Sequence, residues 1–192
     1  MEKWINEIIE EKRAFLDSDG FATYLEEVEK AGNLIAEVLR NGNKILLAGN
    51  GGSAADAQHF ASELVGRLYG ERKSLPAISL CTDPSTVTSI SNDYGYDEVF
   101  ARQIEGIGLK GDCFVGISTS GNSGSILRAI EVSNNKGIHT IGLLGRDGGR
   151  IVKKCEQALI VPLDDTQRIQ EIHTLTIHIL CGIIERNLSA DD

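Results

Sequence analysis

Apolar positions recur at helical spacing through the first forty residues: Trp4, Ile5, Ile8, Ile9, Phe15 and Leu16, then Leu25, Val28, Leu34, Ile35, Val38 and Leu39. The polar break Asp17-Ser18-Asp19-Gly20 divides this stretch into two helices. After Asn41-Gly42-Asn43 the period changes. Lys44-Ile45-Leu46-Leu47-Ala48 is a short, nearly continuous apolar run that stops at Gly49-Asn50-Gly51-Gly52, the pattern of a buried strand ending in a glycine turn. Similar runs follow at Ala77–Leu80, Cys113–Ile117, His139–Leu144 and Ala158–Val161. Helical patterns separate them at Ser53–Leu68, Asp83–Ser91, Glu98–Ile107 and Ser123–Asn134, with a short one near Gly149–Lys154. Non-alternating strands interleaved with helices predict an α/β fold, a parallel sheet of about five strands covered on both faces.

The closing segment, Thr166–Leu188, reads as one long helix. Ile169, Ile172, Leu175, Ile179 and Ile183 form one face, and Ile177, Leu180 and Ile184 widen it. A helix apolar over so much of its circumference is buried more completely than one sheet contact allows. Together with the N-terminal helices it predicts an oligomer interface. No repeat, low-complexity segment or Ser/Gly-rich linker divides the chain, so residues 1–192 read as one domain. Within it, 1–40 are N-terminal helices and 41–192 the α/β core with the C-terminal helix.

Composition narrows the class. At 192 residues, 41% hydrophobic, the chain is long enough to bury a core without a disulfide or metal to hold it. Its 19 basic residues against 28 acidic ones leave a net charge of −9, which argues against nucleic acid as a partner. No apolar run approaches the ~18 residues of a membrane span. The acidic, amphipathic start Met1-Glu2-Lys3-Trp4 is unlike a signal peptide. Cys81, Cys113, Cys155 and Cys181 are widely spaced with no C-x-x-C pair, which reads as reduced thiols in a cytoplasmic protein.

Two strand-to-helix turns carry unusual chemistry. The first is Gly49-Asn50-Gly51-Gly52-Ser53, where Ser53 and Asp56 have the spacing of a capping box. The second, Ser118-Thr119-Ser120-Gly121-Asn122-Ser123, follows directly on the strand Cys113–Ile117. Hydroxyls and free backbone N–H groups at a helix N-terminus hold a phosphate without a cationic side chain. Ordinary turns also use Gly, Ser and Asn, and it is the pair of such turns that favours phosphate. Gly49-x-Gly51-x-x-Ala54 matches a dinucleotide fingerprint in form, but the acidic residue ~20 positions on is missing. A P-loop is absent. A sugar phosphate suits these groups better than a dinucleotide.

His59 and Glu63 are four apart on the helix after the first turn, with Gln58 beside them and Arg67 one turn on. They read as metal ligands, as an acid/base pair, or as a plain contact on a helix surface. Gln170, His173 and His178 lie on the last helix. Two histidines and a carboxylate with an open position form a catalytic zinc shell. His173 reads as a packed or interface residue, His139 as structural, and Asp165 as the last helix's N-cap. Arg67, Arg102 and Arg168 read as meeting substrate, an acidic neighbour or neither.

With Asn92-Asp93-Tyr94-Gly95 and Arg168-Ile169-Gln170-Glu171 added to these motifs, the chain resembles, over essentially its whole length, the phosphoheptose isomerases of the sugar-isomerase (SIS) fold family. The resemblance implies isomerisation of sedoheptulose 7-phosphate to D-glycero-D-manno-heptose 7-phosphate, feeding the heptose of bacterial lipopolysaccharide and related surface polysaccharide. It implies a homotetramer with active sites at subunit junctions, and one zinc per subunit held by His59, Glu63, Gln170 and His178. Substrate contacts are implied for Asn50, Gly51 and Gly52, for Ser118, Thr119, Ser120 and Ser123, and for Glu63, Asn92, Asp93 and Gln170. Relatives that keep the turns but act through protein partners make a non-catalytic sugar-phosphate-binding module the alternative reading. The presence of both Glu63 and His178 favours the enzyme.

Moving a carbonyl from C2 to C1 passes through an enediol. Glu63 suits the base that shuttles a proton between the carbons, and His178 the group that moves one between the oxygens, with zinc polarising the carbonyl. Gln170 and His178 are eight residues apart, ~12 Å along a helix axis. Either that helix is irregular, then, or one ligand comes from a neighbouring subunit.

Overall fold

The computed structural model describes residues 3–189. Two N-terminal helices, α1 (Lys3–Leu16) and α2 (Asp19–Arg40), meet at the predicted break. Ser18 holds the break in place: its backbone is extended, and its hydroxyl oxygen accepts from Phe21 N as the α2 N-cap. The strands are β1 (Ile45–Ala48), β2 (Ala77–Ser79), β3 (Cys113–Ser118), β4 (His139–Gly145) and β5 (Gln157–Val161). Helices α3 (Gly52–Val65), α4 (Pro84–Tyr94), α5 (Val99–Ile107) and α6 (Gly124–Asn135) connect the first four, and α7 (Thr166–Ser189) closes the chain. A 3₁₀ turn, Tyr96–Glu98, joins α4 to α5.

All pairings are parallel and the order is β2-β1-β3-β4-β5. Each side chain of a strand run chooses a face. Ile45 and Leu47 pack with Val28, Ile35, Phe60 and Leu180 of α2, α3 and α7, whereas Leu46 and Ala48 pack with Phe100, Ile104, Ile126 and Ile130 of α5 and α6. Cys113 and Val115 follow the first set and Phe114 the second. Two covered faces explain why the runs show no alternation.

On α7, Ile169, Ile172, Ile177, Leu180 and Ile184 are buried within the chain, while Leu175, Ile179 and Ile183 are half-buried. No helix among the described residues is long and apolar enough to cross a membrane. The four cysteines are free thiols, two of them buried. One expected helix is absent: Gly149–Lys154 forms hydrogen-bonded turns. Gly148 and Gly149 both adopt positive φ, and Ile151 N donates to Gly121 O of the loop after β3, so the segment starts outside helical geometry and keeps only local turns.

Candidate functional site

The chain order around β1 and β3 creates the crevice. From β1 the chain crosses to β2 on one side, and from β3 it crosses to β4 on the other, so the carboxyl ends of these neighbouring strands lie at the point where the strand order reverses. Both glycine- and serine-rich turns sit there. Gly51, with φ +56°, makes the tight turn out of β1 and is itself the N-cap of α3. The expected Ser53–Asp56 capping box does not form. The glycine turn starts the helix earlier, Ser53 is buried inside it, and Asp56 reaches sideways to α7.

The helix starts differ in how they are capped, and α5 lacks a side-chain cap bond just as the two helices at the crevice do. Away from the crevice, α2 is capped by Ser18, α4 by Asp83, and α7 by Asp165, whose Oδ1 accepts from Gln167 N and Arg168 N. At the crevice, neither Gly51 of α3 nor Ser123 of α6 makes a side-chain cap bond. Their first-turn N–H groups are not committed to a capping side chain, although Ser53 N and Ala54 N of α3 donate to the carbonyls of Asn50 and Gly51.

Ser123 turns its hydroxyl elsewhere. Asn50 Nδ2 donates to Ser123 Oγ at 2.9 Å and to Ser125 Oγ at 3.1 Å, tying the first turn to the second. Tyr96 Oη donates to Asn50 Oδ1 at 2.6 Å. Ser118 is buried at the end of β3, Thr119 and Ser120 follow it half-buried, and Ser120 Oγ accepts from Asn122 N.

A second cluster lies farther along α3. Parallel packing of α3 on α7 sets matched side chains face to face: Gly52 against Gln170, Asp56 bonded to Thr174 Oγ1, and His59 facing His178. His59 Nε2 and His178 Nε2 are 2.9 Å apart, and Glu63 Oε1 is 3.7 Å from His59 Nε2. One donor atom from each of the three residues lies within 4.8 Å of the others. Burial pushes the Asp56 carboxyl up, against the opposing effects of Thr174 and His59. Cys181, one turn past His178, is pushed up to about 12 by burial and by Glu63 and Glu185, which leaves it an unreactive thiol.

Gln170 does not join the three donors within the chain. Helix α7 runs unbroken through both positions, so the ~12 Å separation stands. The Gln170 amide rests on Gly52 at the amino end of α3, beside the glycine-rich turn after β1. A Cβ at residue 52 would collide with that amide. Those atoms are the far end of a flexible side chain, so Gly52→Ala is expected to displace Gln170 while changing stability by no more than about 1 kcal/mol. A denaturant midpoint lowered by more than that contradicts it.

Other candidates fall outside both clusters. Asn92 and Asp93 occupy the exposed last turn of α4 and are hydrogen-bonded to each other. Arg102 lies over the Tyr94 ring, Arg67 pairs with Glu71, and the buried Arg168 bonds Glu171. His139 opens β4 and pairs with Glu156. His173 is buried, its Nε2 faces Leu144 O, and burial lowers its pKa to about 4, so it is a packed neutral histidine.

Four further residues take part that the sequence pattern does not single out. Tyr96 stands one position past the Asn92–Gly95 motif and Ser125 two positions past the Ser118–Ser123 motif, but only the fold shows them meeting at Asn50. Arg72 and Glu185 are distant in sequence. In the fold, the buried Glu185 carboxylate accepts from Leu68 N, Tyr69 N and Arg72 Nε, while Arg72 donates to Glu63 O and Leu64 O at the end of α3.

Comparison with known proteins is consistent with this geometry. The SIS domain family matches residues 12–145. The phosphoheptose isomerase of Aliarcobacter butzleri is 56% identical over 167 residues, covering 87% of this chain and 88% of that protein. That of Sulfurimonas denitrificans is 50% identical over 100% of this chain and 98% of its own length. Among solved structures, the phosphoheptose isomerase of Neisseria gonorrhoeae is 42% identical with a TM-score of 0.81, covering 94% of this chain and 92% of that one. That of Francisella tularensis is 34% identical with a TM-score of 0.89, covering 97% and 100%.

Proposed function

Because the chain belongs to the phosphoheptose isomerase family of SIS domains and is a sugar-phosphate isomerase, we propose that it converts sedoheptulose 7-phosphate to D-glycero-D-manno-heptose 7-phosphate through an enediol. The observation that carries this reading is the meeting of His59, Glu63 and His178 on two helices that start elsewhere in the sequence. In this reading the whole chain serves as one domain, in the cytoplasm, making a heptose precursor of surface polysaccharide.

The turns supply binding. Asn50, Gly51, Gly52, Ser118, Thr119, Ser120 and Ser123 surround the crevice end where α3 and α6 start, and in this reading they receive the phosphate. Glu63 takes a proton from C1 and returns it at C2, because a carboxylate reaches both neighbouring carbons with little motion. His178 moves a proton between O1 and O2. Asn92 and Asp93 in this reading hold sugar hydroxyls.

The three donors suit zinc. Two nitrogens on a tetrahedral zinc at ~2.05 Å stand about 3.3 Å apart, and the donor separations of 2.9 and 3.7 Å bracket that value. Two imidazoles and a carboxylate are also a donor set zinc accepts with a position left open. His59, Glu63 and His178 would hold the ion, with Gln170 as fourth ligand. When bound, it supplies Lewis-acid polarisation of the substrate carbonyl. Glu63 has two oxygens, so one can ligate while the other accepts a proton. His178 carries its proton only when the nitrogen concerned is free.

Gln170 and the turns form one half of the site, and His59, Glu63 and His178 the other, separated by two turns of α3. The reading that joins them is a homotetramer in which one copy's turns and Gln170 face another copy's acid/base cluster. The half-buried Leu175 and Ile179 of α7 are available to such an interface.

Proton NMR of the protein with sedoheptulose 7-phosphate tests the function. The ketose carries no proton on its anomeric carbon, so new anomeric doublets report the aldose, and a silent spectrum with zinc supplied overturns the reading in favour of a non-catalytic sugar-phosphate-binding module acting through a protein partner. The same assay across a dilution series is expected to show activity per chain falling as the assembly dissociates. Constant activity in a demonstrated monomer contradicts the shared site. Metal-stripped protein is expected to bind one zinc per chain by calorimetry, and His59→Ala to lose that binding.

A further inference from the structure

Asn50 is a side chain with two possible settings. With its amide oxygen toward Tyr96 and its Nδ2 toward the serines, it donates to Ser123 Oγ and Ser125 Oγ, as the structure shows. Flipped, it would accept from both serine hydroxyls and donate to Tyr96. The two settings have opposite consequences for an anion in the crevice. In the first, an acceptor position on each serine oxygen is filled by Asn50, and the hydroxyl protons remain to be donated. Ser123 Oγ and Ser125 Oγ are 3.2 Å apart, so one hydroxyl donates to the other and the second is left to donate outward. In the flipped setting both protons point back into the protein, and the serines offer a phosphate only lone pairs.

Tyr96 distinguishes the settings. A phenol is a better donor and a poorer acceptor than an alkyl hydroxyl, because its oxygen lone pair is delocalised into the ring and its O–H is more acidic. At 2.6 Å from Asn50 Oδ1 it strongly favours the amide oxygen over the amide nitrogen as its partner. The segment that carries Tyr96 is held down by a second tie two residues on, where Glu98 Oε1 accepts from Arg128 Nε of α6 at 2.9 Å. Asp97 between them lies against Gly124 at the start of α6. The turn between α4 and α5 is thus fastened across the mouth of the second serine turn.

We propose that Tyr96 is a positioning residue that sets the hydrogen-bond direction of the phosphate cradle, fixing Asn50 so that the Ser123–Ser125 pair keeps one hydroxyl proton to donate to a phosphate. The inference rests on the phosphate reading of the two turns. It assigns to Tyr96 no contact with the reacting carbons, so its removal acts on binding and leaves the acid/base chemistry of Glu63 and His178 alone.

The test compares the parent protein with Tyr96→Phe, Asn50→Asp and the double variant, using inorganic phosphate by calorimetry and sedoheptulose 7-phosphate turnover. Tyr96 is 50% exposed, so loss of its hydroxyl leaves the core untouched, and a thermal melt verifies that. Tyr96→Phe is expected to weaken phosphate about tenfold, the equivalent of about 1.4 kcal/mol, with a parallel rise in KM and kcat within twofold. Asn50→Asp offers acceptors only and mimics the flipped amide, so it loses phosphate affinity at least as far. Adding Tyr96→Phe to Asn50→Asp then costs nothing further. Unchanged phosphate affinity in Tyr96→Phe, additive losses in the double variant, or a fall in kcat at constant KM each overturn the role of Tyr96. Failure of the parent protein to bind either phosphate compound overturns the phosphate reading itself, and this inference with it.

Discussion

Replacing Glu63 by Gln is expected to lower kcat for the heptulose phosphate by about 10³-fold, within the range spanned by loss of a positioned general base. The substitution keeps the shape of the side chain and an oxygen that accepts, so KM should move by no more than a few-fold. His178→Ala is expected to produce a loss of similar order. The variant with both changes should be little worse than either alone, because groups that act as a unit are not additive. In D2O the parent is expected to exchange solvent deuterium into C2 of the product, and Glu63→Gln to lose this exchange along with turnover. Turnover within tenfold of the parent in both single variants would remove these residues from the chemistry. Loss of exchange with retained zinc binding would separate proton transfer from any role in holding the metal.

Arg72→Ala is expected to destabilise the fold by about 3–5 kcal/mol, the usual consequence of leaving one member of a buried ion pair uncompensated. Arg72 and Glu185 are both nearly enclosed, and their side chains meet at 2.9 Å. For a chain of this size the loss corresponds to a fall in Tm of roughly 10 °C. Replacing the pair together, Arg72→Met with Glu185→Leu, should recover only part of it, because the uncompensated charge is gone but Leu68 N, Tyr69 N and the Glu63 and Leu64 carbonyls lose their partners. Burial pushes the Glu185 carboxyl up, but N–H donation from Leu68 and Tyr69 and the Arg72 guanidinium outweigh it and hold the group below its ordinary value. A depressed carboxyl contributes stability that is present above the unfolded value of ~4.3 and is lost as pH falls through the folded value. The parent should therefore lose this increment on acidification below about pH 4, and Glu185→Gln should lack that part of the acid dependence. Equal acid sensitivity in parent and variant would contradict it. The pair also matters for the site: Arg72 binds the carbonyl of Glu63, so Arg72→Ala releases the end of α3 that carries the proposed base.

The strand runs were legible because each is bounded by a polar or glycine break and is apolar throughout; Ile45–Ala48 and Cys113–Ser118 emerge almost as read. The break before α2 was legible for a local reason, the capping chemistry of Ser18. Asp165 was legible as a cap on the same ground. The Ser53–Asp56 capping box failed because a spacing rule knows nothing of Gly51, whose positive φ starts the helix two residues earlier. The expected helix at Gly149–Lys154 is reduced to turns because Gly148 and Gly149 adopt positive φ and Ile151 N is drawn to Gly121 O, a partner from another turn.

His59 and Glu63 could be paired from their spacing on one helix, since the helix repeat fixes neighbours four apart. That repeat also showed that Gln170 and His178 can barely meet at one ion on a single straight helix, and α7 runs as one continuous helix through both. What the repeat could not supply is the lateral packing that sets α3 beside α7 and brings His178 to His59. Nor could it place Tyr96 on Asn50, or Arg72 on Glu185, contacts made by residues far apart along the chain. The sequence by itself determined the helices, the strands, the two turns and the types of chemical group, because period, capping and turn conformation are local properties of the chain. Tertiary structure alone decided which of those groups meet, because contacts between distant segments depend on strand order and helix packing, which side-chain burial on both faces of the sheet selects collectively.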